Sequence, residues 1–238
     1  MKTTFTMIAL MALFTFTSCK KESDKEDTTE TTVTDTTATV AEETPVFEPF
    51  KIMAVTHIVK DFDSWKKGFD QDEMNRSASG LTLRALARGI DNPNNVFIFL
   101  NVSDLQKAKD FAGSPKLKEV MQKVGVINKP EVVFVDVVRF EESPAEFKDR
   151  LRVSIKIKDF DAWLKVYDAE GSVTRLANGL IDRAISRNSD DPNMIYVTFA
   201  IRDMTKAKTY MKDPALKKIM TEAGVIGKPV IDYYTSVE

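Results

Sequence analysis

From residue 50 onward the apolar positions fall into two rhythms that follow one another in a fixed order. A two-residue alternation sets Met53, Val55, His57 and Val59 on one side and Ile52, Ala54, Thr56 and Ile58 on the other, which predicts a strand. Helical spacing takes over at Phe62, Trp65 and Phe69, one buried face behind Asp61. The Asp61 side chain is placed to accept orphan backbone N–H groups, and Asp63 falls in the first turn, where the helix dipole favours an acid. Gly80 ends this helical segment. Leu81 to Arg88 and Val96 to Val102 predict two more strands, joined by the turn-forming run Asp91-Asn92-Pro93-Asn94. A helix then runs from near Ser103 to about Ala112. Ser114 and Pro115 restart it in a new direction, Gly125 stops it, and a last strand covers about Val132 to Val138.

The whole series then repeats. Lys60 to Trp65 returns as Lys158 to Trp163, Arg84 to Arg88 as Arg183 to Arg187, and Asp91 to Asn94 as Asp190 to Asn193. Pro115 to Leu117 returns as Pro214 to Leu216, and Gly125-Val126-Ile127 as Gly224-Val225-Ile226. Matches in one order at a nearly constant offset mark a duplicated unit of roughly 90 residues. In the second copy Leu151, Val153, Ile155 and Ile157 carry the first alternation, Asp159 the cap, Phe160, Trp163 and Tyr167 the helix face, and Asp203 the start of the later helix. These aromatic rings, at helical spacing, are core residues first.

The order β-α-β-β-α-β is the split ferredoxin-like arrangement. With its duplication, and with the RALAR and GVI phrases, it resembles the dimeric α+β barrel superfamily, which includes antibiotic-biosynthesis-type monooxygenases and muconolactone isomerases. The resemblance covers Phe50 to Glu238. It implies an α+β fold of two tandem ferredoxin-like units that close an intramolecular barrel, a monomer that is its own pseudo-dimer. The physical motive is a four-stranded sheet with helices on one side, whose other face and edges need cover.

Composition adds an address. Residues 1 to 49 hold four lysines against nine acids, leaving thirty basic and twenty-seven acidic residues in the rest, too even a balance for a nucleic-acid partner. Met1 and Lys2 precede an apolar run, Thr3 to Thr17, too short to span a membrane comfortably and closed by Ser18 and Cys19, which reads as a signal peptide over 1–18. Phe16-Thr17-Ser18-Cys19 resembles the lipobox of bacterial lipoproteins, with Phe in place of the usual Leu. The resemblance implies lipidation of Cys19, palmitate included, and attachment to the outer membrane on its periplasmic or surface side. Residues 19–49, rich in Thr, Glu and Asp, predict a disordered tether, and Glu22, Asp24, Glu26 and Asp27 resemble the export signals of some Bacteroidota surface lipoproteins. Repeat 1 is then 50–140, a connector 141–149, and repeat 2 150–238.

One cysteine and one histidine exclude an internal disulfide and any metal site built from several such ligands, and no glycine-rich phosphate loop or nucleophile elbow appears. No cofactor is expected. His57 is the candidate catalytic base, although its counterpart Ile155 points to a buried structural site. The resemblance does not make it a haem ligand, since haem-binding relatives would carry that histidine on a helix. Arg84 and Arg183 are candidate ligand-binding residues: if strand alternation turns Thr82, Arg84, Leu86 and Arg88, with their counterparts, into the barrel, two guanidinium groups could clamp a carboxylate or phosphate. The competing expectation pairs them with Asp136, Asp182 or Asp232. Tyr196 adds a polar handle facing the same cavity or its opposite. Three roles follow: binding of a small anionic or aromatic ligand between the repeats, cofactor-independent oxygenase or isomerase chemistry using His57 and an arginine, or docking to another envelope protein. A filled interior would leave only the third.

Overall fold

The structure, a computed structural model, describes residues 47–237. The signal segment, Cys19 and the tether up to residue 46 lie outside the described residues. Sixteen elements follow in two matching series. The first comprises β1 (Phe50–Ile58), α1 (Phe62–Gln71), α2 (Glu73–Ala78), β2 (Leu81–Gly89), β3 (Asn95–Val102), α3 (Leu105–Ala112), α4 (Pro115–Lys123) and β4 (Glu131–Phe140). The second comprises β5 (Asp149–Ile157), α5 (Phe160–Glu170), α6 (Ser172–Ala177), β6 (Leu180–Asn188), β7 (Met194–Ile201), α7 (Met204–Tyr210), α8 (Pro214–Glu222) and β8 (Val225–Val237).

Local chemistry sets the helix starts. Asp61 and Asp159 accept from the backbone N–H groups of Ser64 and Ala162 at 2.8 and 2.7 Å. Ser114 accepts from Leu117 N–H and Asp213 from Ala215 N–H, each just ahead of a proline that has no N–H to satisfy. The helix α3 starts near Ser103 as expected, with Asp104 as its cap and the Ser103 hydroxyl donating to the Gly80 carbonyl. One detail differs from the sequence expectation. The first helical segment of each repeat is broken, at Asp72 and at Gly171, where Gly171 takes φ +80°.

The most strongly repeated phrases turn out to hold one another. Asn94 accepts from Phe62 N–H and donates to the Lys60 carbonyl, and Asn193 donates to the Lys158 carbonyl. Arg88 donates to the Pro93 carbonyl and lies over the Phe62 ring, and Arg187 does the same with Pro192 and Phe160. The turn after β2 is thereby tied to the start of α1 in both repeats, so these matched residues serve the scaffold.

All eight strands form one closed antiparallel barrel in the order β1-β3-β2-β8-β5-β7-β6-β4. Each repeat supplies four consecutive strands in ferredoxin-like order, and the seams are made by β2 with β8 and by β4 with β6. Closure removes every sheet edge, the usual liability of an open sheet. The helices cover the outside. Between α1–α4 and the sheet pack Met53, Val55, Trp65, Phe69, Leu86 and Leu100. Between α5–α8 and the sheet pack Leu151, Val153, Trp163, Ile185 and Phe199. The inward faces form separate clusters, around Ile52, Val135 and Tyr196 and around Phe97 and Tyr234.

Candidate functional site

The barrel encloses a cavity of about 260 Å³ to which every strand contributes side chains. Two further voids, between helices and sheet in each repeat, are only about 60 Å³ each. The interior chamber is below the ~300 Å³ typical of pockets for drug-sized molecules, so its occupant is small.

Its first feature is a set of arginines at one end. Arg84 and Arg183 both line the chamber, but simple alternation does not put them there. A β-bulge interrupts the pairing of β2 with β3 between Leu83 and Ala85, and its twin interrupts β6 with β7 between Asp182 and Ala184. One extra residue per strand turns Arg84 and Arg183 inward beside Ala85 and Ala184. Leu86 is left packed under the helices and Arg88 against α1. The expected face of Thr82, Arg84, Leu86 and Arg88 is thus split, and of these four only Arg84 lines the interior. Both guanidinium groups lie over the Phe140 ring, at 4.7 and 4.9 Å, and Arg84 also over Phe50 at 4.5 Å.

Arg150, at the start of β5, completes the group. It donates to the carbonyls of Phe147 and Asp149. Desolvation lowers the pKa of all three, and for Arg183 the charges of Arg150 and Arg84 lower it further. None of the three forms an ion pair among the described residues. Glu142, on the connector, acts on Arg84 and Arg183 through space without pairing with either. The aspartates expected as partners are engaged elsewhere: Asp136 with Lys51, Asp182 with Arg175, and Asp232 with Arg152. Arg84 is the one exposed residue of the lining and Arg150 and Arg183 are half-buried, whereas Arg152, Tyr196 and Tyr234, the last directly across the ladder from Arg150, are buried. The cationic end is therefore the accessible one.

Arg152 lies deeper, 7% exposed, and its Nε and Nη2 donate to Asp232 at 3.1 and 2.8 Å. Tyr196 faces this chamber, 8% exposed, its hydroxyl accepting from Asn188 at 3.4 Å. Arg150 and Arg152 escaped sequence reasoning, yet a signal existed. They stand where the first repeat has Ile52 and Ala54, a change from apolar to charged at two matched strand positions.

His57 is elsewhere. It points out of the barrel into the helix-side core, 2% exposed, with its ring edge-on to Trp65 at 5.4 Å. Neither ring nitrogen has a hydrogen-bond partner among the described residues, and burial lowers its pKa to about 4. The sheet separates it from Arg84 and Arg183, so the base-plus-arginine pairing expected for catalysis is not assembled. The physical reason is that β1 is apolar on both faces, and His57 belongs to the face under α1.

No family model matches the sequence, and no curated protein matches it. Solved structures do. An anthrone oxidase-like protein aligns with TM-score 0.56 at 12% identity, over 79% of this chain and 92% of that one. A candidate monooxygenase from Fusobacterium nucleatum aligns with TM-score 0.52 at 12% identity, over 79% and 93%. A candidate chlorite dismutase aligns with TM-score 0.50 at 9% identity, over 81% and 96%. At such identities the likeness is one of fold, and the fold is the ferredoxin-like dimeric α+β barrel, with both halves supplied by one chain.

Proposed function

We propose that this protein is a lipid-anchored, non-catalytic binding protein that holds one small organic anion inside its barrel and acts as a monomer. The observation that carries the reading is the trio Arg84, Arg150 and Arg183: three guanidinium groups without ion-pair partners among the described residues, at the accessible end of an otherwise largely apolar chamber. Like charges held together with partial desolvation are costly unless an anion joins them, and planar forks suit a carboxylate or phosphate bidentately. The oxidase-like and monooxygenase descriptions of two neighbours make oxygenase or isomerase chemistry the alternative. The lining favours binding, because among the described residues it includes no His, Asp, Glu or Cys to serve as a general base near neutral pH.

Mass spectrometry under native conditions, on full-length protein purified gently from its own envelope, should reveal one small acidic molecule per chain that is released on denaturation. A ligand-free mass, together with no thermal shift from millimolar carboxylates or organophosphates, would overturn the reading. The membrane address rests on Cys19. Acyl chains contribute about 0.8 kcal/mol per buried methylene, so a multiply acylated cysteine holds firmly. Cys19→Ser should transfer the protein from the membrane fraction to the soluble one, and an unchanged distribution would reject the anchor.

A further inference from the structure

The two repeats have diverged on one face of the sheet. Toward the helices, matched positions stay apolar: Val55 and Val153, Leu86 and Ile185, Ile98 and Val197. Toward the chamber they do not. Phe99 is answered by Thr198, Ala87 by Ser186, and Val137 by Ser236. With Arg150 and Arg152 at the positions matched to Ile52 and Ala54, and the matched pair Arg84 and Arg183 apart, the chamber has an apolar wall from the first repeat and a polar wall from the second.

Stability does not account for the polar wall. Burying a hydroxyl costs free energy unless it is hydrogen-bonded, and the first repeat shows that apolar residues fill the same positions. Part of the wall satisfies itself, Arg152 with Asp232. The hydroxyls of Ser186 and Ser236 bond to no protein group among the described residues, and both face the cavity. They sit at the two seams that bound the second repeat's half of the barrel, Ser186 beside Val137 and Ser236 beside Ala87. An unsubstituted acid would satisfy the arginines and leave these hydroxyls unanswered.

We propose that the ligand is a small hydroxy- or oxo-carboxylic acid held in a single orientation. Its carboxylate sits at Arg84, Arg150 and Arg183, its apolar flank lies against the first repeat, and its second oxygen group meets one of the two seam hydroxyls, Ser186 or Ser236. The inference rests on the anion-binding reading and names the chemical class for that site. The broken symmetry also sets the stoichiometry at one ligand per chain.

The test is calorimetric titration of the full-length protein in detergent with octanoate and with 3-hydroxyoctanoate. The wild type should bind the hydroxy acid about tenfold more tightly, the gain of one or two hydrogen bonds. A Ser186→Ala, Ser236→Ala double variant should bind both acids equally, with octanoate affinity retained. Equal affinities in the wild type, or a preference that survives in the variant, would overturn the polar-edge assignment and leave the arginine site standing. Failure of the wild type to bind either acid would instead remove the anion site, and this inference with it. Should the double variant melt early, Ser186→Ala and Ser236→Ala made separately decide the same question, since the preference should vanish in one of them.

Discussion

An Arg84→Gln, Arg183→Gln double variant should bind carboxylates roughly a hundredfold more weakly than the parent, yet melt at the same temperature or slightly above it. Each guanidinium group offers charge-assisted hydrogen bonds of about 1.5–3 kcal/mol, and loss of two such contacts amounts to two orders of magnitude or more in affinity. The stability half of the expectation separates a ligand site from a structural one. Arg84 makes one long hydrogen bond, to Asn101 at 3.3 Å, and neither arginine pairs with a carboxylate among the described residues. Glutamine keeps some polarity while removing like charge from a crowded group. Calorimetric titration with a short-chain acid and thermal unfolding of the same samples check both halves. Unchanged affinity would show that the cluster does not read anions, and a marked fall in melting temperature would assign it to the scaffold. Arg175 is the useful contrast. It is 3% exposed, paired with Asp182 and Glu170, and its pKa is raised by those bonds, so its replacement should cost stability.

Stability should fall as the solution is acidified from pH 6.5 toward pH 4, and most of one proton's share should disappear in a His57→Ile variant. The folded state holds His57 neutral down to about pH 4, whereas the unfolded chain takes up that proton near 6.5. Across this window the unfolded state therefore binds more protons, and acid favours it. Integrated over the interval, the effect is about 3 kcal/mol, lost as pH falls and levelling off below the folded pKa. Isoleucine is the residue the second repeat uses at the matched position, Ile155, so the replacement suits the fold. It also removes two buried nitrogens that have no partner among the described residues, an arrangement that typically costs about 1–3 kcal/mol per group, and the variant should be the more stable protein at pH 7. Denaturant titrations of both proteins at a series of pH values measure the difference. Parallel curves for the two would mean that His57 carries no such linkage. Ligand affinity at pH 7 should be the same in both, since the sheet stands between His57 and the cavity.

How much of this was legible beforehand depends on the range of the interaction involved. The caps at Asp61, Asp159, Ser114 and Asp213 involve partners two or three residues away, and those were readable. So was the burial of the aromatic helix faces, with Phe62, Trp65 and Phe69 in the first repeat and Trp163 in the second all in the core. The mid-segment breaks at Asp72 and Gly171 were missed, because the residues around Asp72 still read as continuous helix. The face assignment in β2 and β6 failed for a different reason. A bulge changes the period of a strand by one residue, and nothing in Arg-Ala-Leu-Ala-Arg announces it.

By itself, then, the amino-acid order determined that there are two copies of one unit, which elements each copy contains and in what sequence they come, because periodicity, caps and turn residues act over a few neighbours. Only the tertiary structure decided which face of each strand looks inward. When a sheet is covered by helices on one side and closed on itself on the other, both faces are buried and the alternation that would mark an exposed face is gone. That decision sent His57 outward under Trp65, turned Arg84 and Arg183 inward through bulges, and added Arg150 and Arg152 to the same chamber, residues far apart in the chain that meet only when the barrel closes.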